Sequence, residues 1–181
     1  MMPPAGRQVI LLVGPKGSGK TTIGEFLAAE LGIRFLRVEP LFLEARVRLG
    51  ASHPDPDRLG FEAVLAELAA LLSAGGVACF ESTGASPHFP WLLAEVARLA
   101  RVSLVRVVAE PAQCLARIRG RDAAAHIPAS GEDIERINAR AARVTLPWDA
   151  VIDNRGRFDG ALIRRAVEAL LPGIEESHGN G

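Results

Sequence analysis

The sequence predicts an α/β protein, a three-layer fold with a five-stranded parallel sheet and helices on both faces. Three observations carry this. Short apolar runs alternate with helical patterns five times along the chain, the pattern of strands joined by crossover helices. The first run, Val9 to Val13, "VILLV", is continuous rather than alternating, as a strand buried on both faces requires. That run passes directly into "GPKGSGKTT", Gly14 to Thr22, a glycine-rich turn that opens a helix.

The remaining elements follow in order. Ile23, Phe26, Leu27 and Leu31 recur at helical spacing, and Gly32 supplies a stop. "IRFLRVE", Ile33 to Glu39, predicts a second strand, and Pro40 to Gly50 a helix. "ASHPDPD", Ala51 to Asp57, is a loop by its prolines and aspartates. A strongly amphipathic helix is predicted over Phe61 to Leu72, a third strand over Val77 to Glu81 and a helix over Trp91 to Ala100. Val102 to Ala109 reads as the fourth strand. "PAQCLARIRGR" opens on a proline suited to a helix N-terminus and runs basic to Arg121. After the loop "DAAAHIPAS" come a helix over Gly131 to Val144, a short fifth strand over Asp149 to Asn154 and a last helix over Ala161 to Leu171. Residues 172–181 read as a disordered tail, leaving one domain over 7–171.

Bulk composition narrows the function classes. At 181 residues a chain buries roughly 70% of its unfolded surface, enough for a real core. Lys plus Arg and Asp plus Glu both number 21, so the formal net charge is zero, which argues against bulk nucleic-acid binding. Cys79 and Cys114 lie in apolar or helical patterns with neither zinc spacing nor a disulfide framework. With no signal-peptide core and no run of 18 apolar residues, the expectation is a cytoplasmic protein without a membrane partner.

The turn carries the chemistry. Gly14, Gly19, Lys20 and Thr21 complete the pattern G-x-x-x-x-G-K-[ST], with Pro15, Lys16, Gly17 and Ser18 between and Thr22 after. The glycines let the backbone bend and turn several N–H groups inward, and the helix N-terminus adds partial positive charge. Lys20 reaches the outer phosphates, and the Thr21 hydroxyl suits Mg²⁺. The plain alternative, a strand-to-helix turn without a ligand, fits the complete pattern and its context less well than a nucleoside triphosphate site.

Other triphosphate proteins lose ground. A GTPase needs D-x-x-G after a strand and a later N-K-x-D. "DRLG", Asp57 to Gly60, follows "HPDP" instead, and no N-K-x-D exists. A motor or AAA-type ATPase needs more chain and a strand ending in two acids, whereas "ACFES" carries one.

The phosphate loop, the "ACFESTG" strand end, the "CLARIRGRD" segment and the "DAVIDN" strand, in that order, resemble the small P-loop kinases of metabolites, nucleosides and nucleotides. Shikimate and gluconate kinases are similar in length and layout. The "ESTG" stretch also resembles the AAA-type ATP-binding branch of chloramphenicol phosphotransferase and the polynucleotide kinases. The resemblance implies a P-loop NTPase fold with a small lid near 119–133. It implies ATP and Mg²⁺ as cofactors and γ-phosphoryl transfer to the hydroxyl of a small metabolite. By the same resemblance Glu39 and Glu81 are candidates for orienting or deprotonating the acceptor, and Glu81 with Thr21 for the metal. Arg117 and Arg121 become lid arginines over the transferred phosphoryl group, Arg117 and Asn154 ATP-site residues, and Arg58, Thr83, Gly84, Arg136 and Arg140 acceptor residues. Arg37 stands where shikimate kinases carry the first acid of a strand-end pair, which turns attention from Glu39 to Glu81. Two other outcomes stay open: a nucleic-acid or nucleoside 5′-hydroxyl acceptor, disfavoured by 5% aromatics and no tyrosine, and a non-catalytic nucleotide-binding regulator.

Overall fold

The computed structural model describes residues 6–49, 55–120 and 130–171. Its centre is a five-stranded, fully parallel sheet in the order β2-β3-β1-β4-β5. The strands are β1 (Arg7–Val13), β2 (Arg34–Leu36), β3 (Gly76–Ser82), β4 (Arg101–Val108) and β5 (Ala150–Asp153). Alternate residues of β1 feed two cores. Val9, Leu11 and Val13 pack with Phe61, Val64 and Leu68 of α3 (Pro56–Leu71) and Leu92 and Val96 of α4 (Phe89–Leu99). Phe42 of α2 (Val38–Leu49) joins the same core. Ile10 and Leu12 pack with Ile23 and Leu27 of α1 (Lys20–Leu31) and Ile163 and Val167 of α7 (Gly160–Glu168). Both faces of β1 are thus covered, which is why its apolar run is continuous.

Helix α5 (Pro111–Arg119) and α6 (Gly131–Ala142) stand between β4 and β5 in the chain. Ser130 caps α6, accepting from the Asp133 N–H at 3.1 Å, and the Asp133 carboxylate reaches back to the Ser130 N–H. The strand and helix spans read from sequence survive with shifted ends, apart from two segments. The second strand stops at Leu36, and α2 begins at Val38, so Glu39 stands in a first helical turn rather than at a strand end. Pro40 is the cause of the misreading: its missing N–H costs nothing in a first turn, so it need not mark the start. Helix α3 begins five residues earlier than its apolar pattern, at Pro56, because Asp55 caps it by accepting from the Arg58 N–H at 3.1 Å. "DRLG" is therefore helical, and Gly60 is a packing glycine: a Cβ there would come within 2.5 Å of the Phe42 ring. Most of the predicted lid, with Arg121, and the predicted tail lie outside the described residues.

Candidate active site

The parallel register sets the site. Leu12 pairs with Glu81 and Val13 with Ser82, so the end of β3 lies beside the turn leaving β1. The Gly14 N–H donates to the Ser82 carbonyl at 3.2 Å, tying turn to strand. This is the carboxyl edge of the sheet, where open α/β sheets bind ligands.

Three glycines have no room for a side chain. A Cβ on Gly14 would strike the Val107 carbonyl, one on Gly17 the Cys114 carbonyl, and one on Gly19 the Asn154 amide. Gly17 and Gly19 also hold φ at 82° and 94°, in the region that favours glycine. The loop is thus seated on β4, α5 and the residue after β5. Asn154, only 5% exposed, donates through Nδ2 to the Ser18 carbonyl at 2.7 Å. Arg117 donates to the Gly17 carbonyl at 3.3 Å and to the Asn154 carbonyl at 3.4 Å. Both residues brace the loop from behind. Asn154 does so with a buried side chain, which is a different placement from a nucleotide contact.

Lys20 is 6% exposed, and its ammonium donates to the carbonyls of Gly14 and Pro15 at 2.9 and 2.8 Å. It is curled back over the loop. The Thr21 hydroxyl donates to Glu81 Oε1 at 2.8 Å. Hydroxyl and carboxylate are the hard oxygen donors that Mg²⁺ accepts alongside substrate phosphates. Among the described residues no group of three His, Cys, Asp or Glu side chains forms a metal site, so any cation here leans on such sparse ligands. Cys79, two residues before Glu81 on the same strand, is fully buried. Burial, and then the Glu81 charge, push its thiol far above the ordinary range, so it stays neutral and inert.

The loop opens into a cavity of about 800 Å³. Lys16, Gly17, Gly19, Lys20, Thr21 and Glu81 form the side next to the loop. The opposite walls come from Glu39, Phe42 and Arg46 of α2, Asp57 and Phe61 of α3, Thr83 and Ser86 after β3, Arg119, and Arg140 of α6. Phe42 and Phe61 meet edge to face with centroids 5.0 Å apart. Arg46 and Asp57 are paired at 3.9 Å, and Lys16 Nζ lies 3.5 Å from Glu39 Oε1. Arg119 and Arg140 make no ion pair with the other described residues.

Of the acid and acceptor candidates derived from sequence, the cavity gathers Glu39, Glu81, Thr83 and Arg140 and leaves three aside. Arg58 lies over the Trp91 ring at 3.4 Å from its centroid and pairs with Glu62 at 3.0 Å, off the cavity. Arg136 is largely exposed and pairs with Asp133 one turn back. Gly84 holds φ at 70° against Val13 and Val144 without lining the cavity. Thr22 is exposed on α1. Sequence reasoning missed Arg46, Asp57, the two phenylalanines and Asn138, whose side chain binds the loop at Lys16. Helical spacing on α2 and α3 could have grouped Phe42 with Arg46 and Asp57 with Phe61; nothing local marks Asn138.

The phosphate loop, the carboxylate facing it and the cavity beyond define a P-loop protein with the layout of the small kinases. Residues 9–144 match the family model described as an AAA domain, and the chain belongs to that family. It is 31% identical over 159 residues to a cytidylate kinase of Nitratidesulfovibrio vulgaris, covering 84% of this chain and 66% of that enzyme, a little under two thirds of its length. Its fold is shared with a sugar kinase from Janibacter sp. HTCC2649 (TM-score 0.64, 20% identity, 91% and 94% of the two chains). The same holds for shikimate kinase from Acinetobacter baumannii in complex with shikimate (0.55, 23%, 91% and 91%). It holds also for Mycobacterium tuberculosis APS kinase CysC in complex with AMPPNP and APS (0.57, 18%, 92% and 99%). At these identities the structural likeness speaks for the fold.

Proposed function

We propose that the protein is an ATP-dependent phosphotransferase that moves the γ-phosphoryl group to a hydroxyl of a small molecule. One observation carries the reading: a complete phosphate loop, with the Thr21 hydroxyl 2.8 Å from Glu81, opens directly into a cavity large enough for a metabolite. The N–H groups of the loop and of the first turn of α1 bind the phosphates, and the Lys20 ammonium exchanges its carbonyl partners for phosphate oxygens. Thr21 and Glu81 would hold Mg²⁺, which would supply positive charge against the phosphates. Glu81 or Glu39 orients the acceptor hydroxyl and takes its proton. Arg119 and Arg140 answer the charge spread over the transferred group. The apolar Phe42 and Phe61 keep water from competing with the acceptor.

A second reading is favoured by the curated relative: a nucleotide acceptor, as the name cytidylate kinase implies for that enzyme. The cationic Arg46, Arg119 and Arg140 beside the Phe42–Phe61 pair suit a phosphate and a flat base equally. ADP release, followed over a panel of sugars, polyols, hydroxy acids and nucleoside monophosphates, separates the two. Turnover with one class names the acceptor. Lys20→Ala should lower that turnover by about 10²-fold or more with the fold intact. ADP release by no acceptor, or undiminished in Lys20→Ala, would reject phosphoryl transfer at this site.

A further inference from the structure

We infer that Asn138 is a positioning residue that fastens the acceptor-side wall of the cavity to the phosphate loop, so that a nucleotide on the loop also orders α6. The inference rests on the reading of the loop as a triphosphate site. Its basis is a two-point contact across 122 residues of chain: the Lys16 N–H donates to Asn138 Oδ1 at 2.7 Å, and Asn138 Nδ2 donates to the Lys16 carbonyl at 3.1 Å. One side-chain amide thereby satisfies both main-chain groups of the residue at the loop's tip. A single hydrogen bond can pivot, whereas two from one planar amide fix the orientation of the Lys16 backbone relative to α6.

What is fastened lies on the cavity. Ile134, Ile137 and Arg140 line it from α6, one turn apart in succession. Lys16 lines it from the loop and pairs with Glu39 of α2. Asn138 thus sits between the loop that receives phosphate and the side chains that face the acceptor. Its hold on α6 matters because little else holds that helix: Ala141 is its one buried residue. Among the described residues, the two Asn138 bonds are the side-chain hydrogen bonds α6 makes outside its own capping turn. An element attached so lightly opens at low free energy. A ligand that stiffens the loop stiffens what is hung from it.

Hydrogen exchange read by mass spectrometry, with AMPPNP·Mg²⁺ as the probe, tests this. In the unmodified protein the probe should slow exchange in the loop, 14–22, and by about 5-fold or more across α6, 131–142. In Asn138→Leu, of similar size but without polar groups, loop protection should persist while α6 protection falls below about 2-fold. Asn138→Asp keeps an oxygen for the Lys16 N–H and loses the donor, so its α6 protection should be intermediate; it carries the comparison alone if Asn138→Leu does not fold. Equal α6 protection in the variants and the unmodified protein, or loop protection without α6 protection in the latter, would overturn the inference. No protection of the loop itself would overturn the triphosphate reading, and the inference with it.

Discussion

The hydrogen bond from Asn154 to the Ser18 carbonyl is one of the side-chain contacts that seat the phosphate loop, so replacing Asn154 should expose its worth. The residue is 5% exposed, and its amide fills the place a Gly19 side chain would take. Its own N–H donates to the Val108 carbonyl at 2.7 Å, a bond every variant keeps. Asn154→Ala removes the donor to Ser18 and leaves a buried carbonyl unsatisfied, at a cost of about 1–3 kcal/mol. For a chain of this size about 2 kcal/mol lowers Tm by roughly 4–8 °C. Asn154→Asp is the sharper variant. It keeps the shape but sets a second acceptor against the Ser18 carbonyl, so it should be at least as destabilised as Asn154→Ala. Thermal and guanidinium unfolding followed by circular dichroism read both. Native-like stability of Asn154→Asp would show that shape, not donation, seats the loop, and would refute the argument.

Three further outcomes are expected. Glu81→Gln should lower acceptor turnover more than Glu39→Gln, because Glu81 touches Thr21 while Glu39 touches Lys16; small, equal losses in steady-state kcat would reject both assignments. Gly17→Ala should destabilise the protein and weaken AMPPNP binding in calorimetry, since its Cβ meets the Cys114 backbone at a φ of 82°; unchanged affinity would mean the loop readily adopts another path. The Cys79 thiol, held neutral by burial, should resist iodoacetamide at pH 8.5 in the folded protein and react fully after unfolding in guanidinium. Because its proton is held more tightly when folded, the stability it contributes is complete below pH 9.0 and declines above it. Rapid labelling of the native chain would contradict that burial.

Much of this architecture is legible in the sequence because local and global signals agree. The run Val9 to Val13 is apolar at every position since both sheet faces are covered, and the loop pattern announces its own strand and helix. The site's phosphate half is legible for the same reason: Gly14 to Thr21 are contiguous, so spacing alone brings them together. The acceptor half is not. Glu39 reads in sequence as a strand-end acid because Pro40 hides the first turn of α2. Arg58 looks like a free cation in sequence, yet its stem and guanidinium find Trp91 and Glu62. Arg136 and Arg140 are chemically alike and one turn apart, and only the orientation of α6 puts Arg140 on the cavity. Asn138 could not be found at all, since its partner lies 122 residues away and an isolated asparagine on a helix carries no signal.

The central claim is that this chain transfers a phosphoryl group rather than merely holding a nucleotide. Incubating the protein with [γ-³²P]ATP, Mg²⁺ and a deproteinised small-metabolite extract, then separating the products by thin-layer chromatography, tests it most directly. Label should appear in a product distinct from ATP and inorganic phosphate, formed by the unmodified protein and lost in Lys20→Ala. Label that remains in ATP, or appears only as inorganic phosphate, would contradict it.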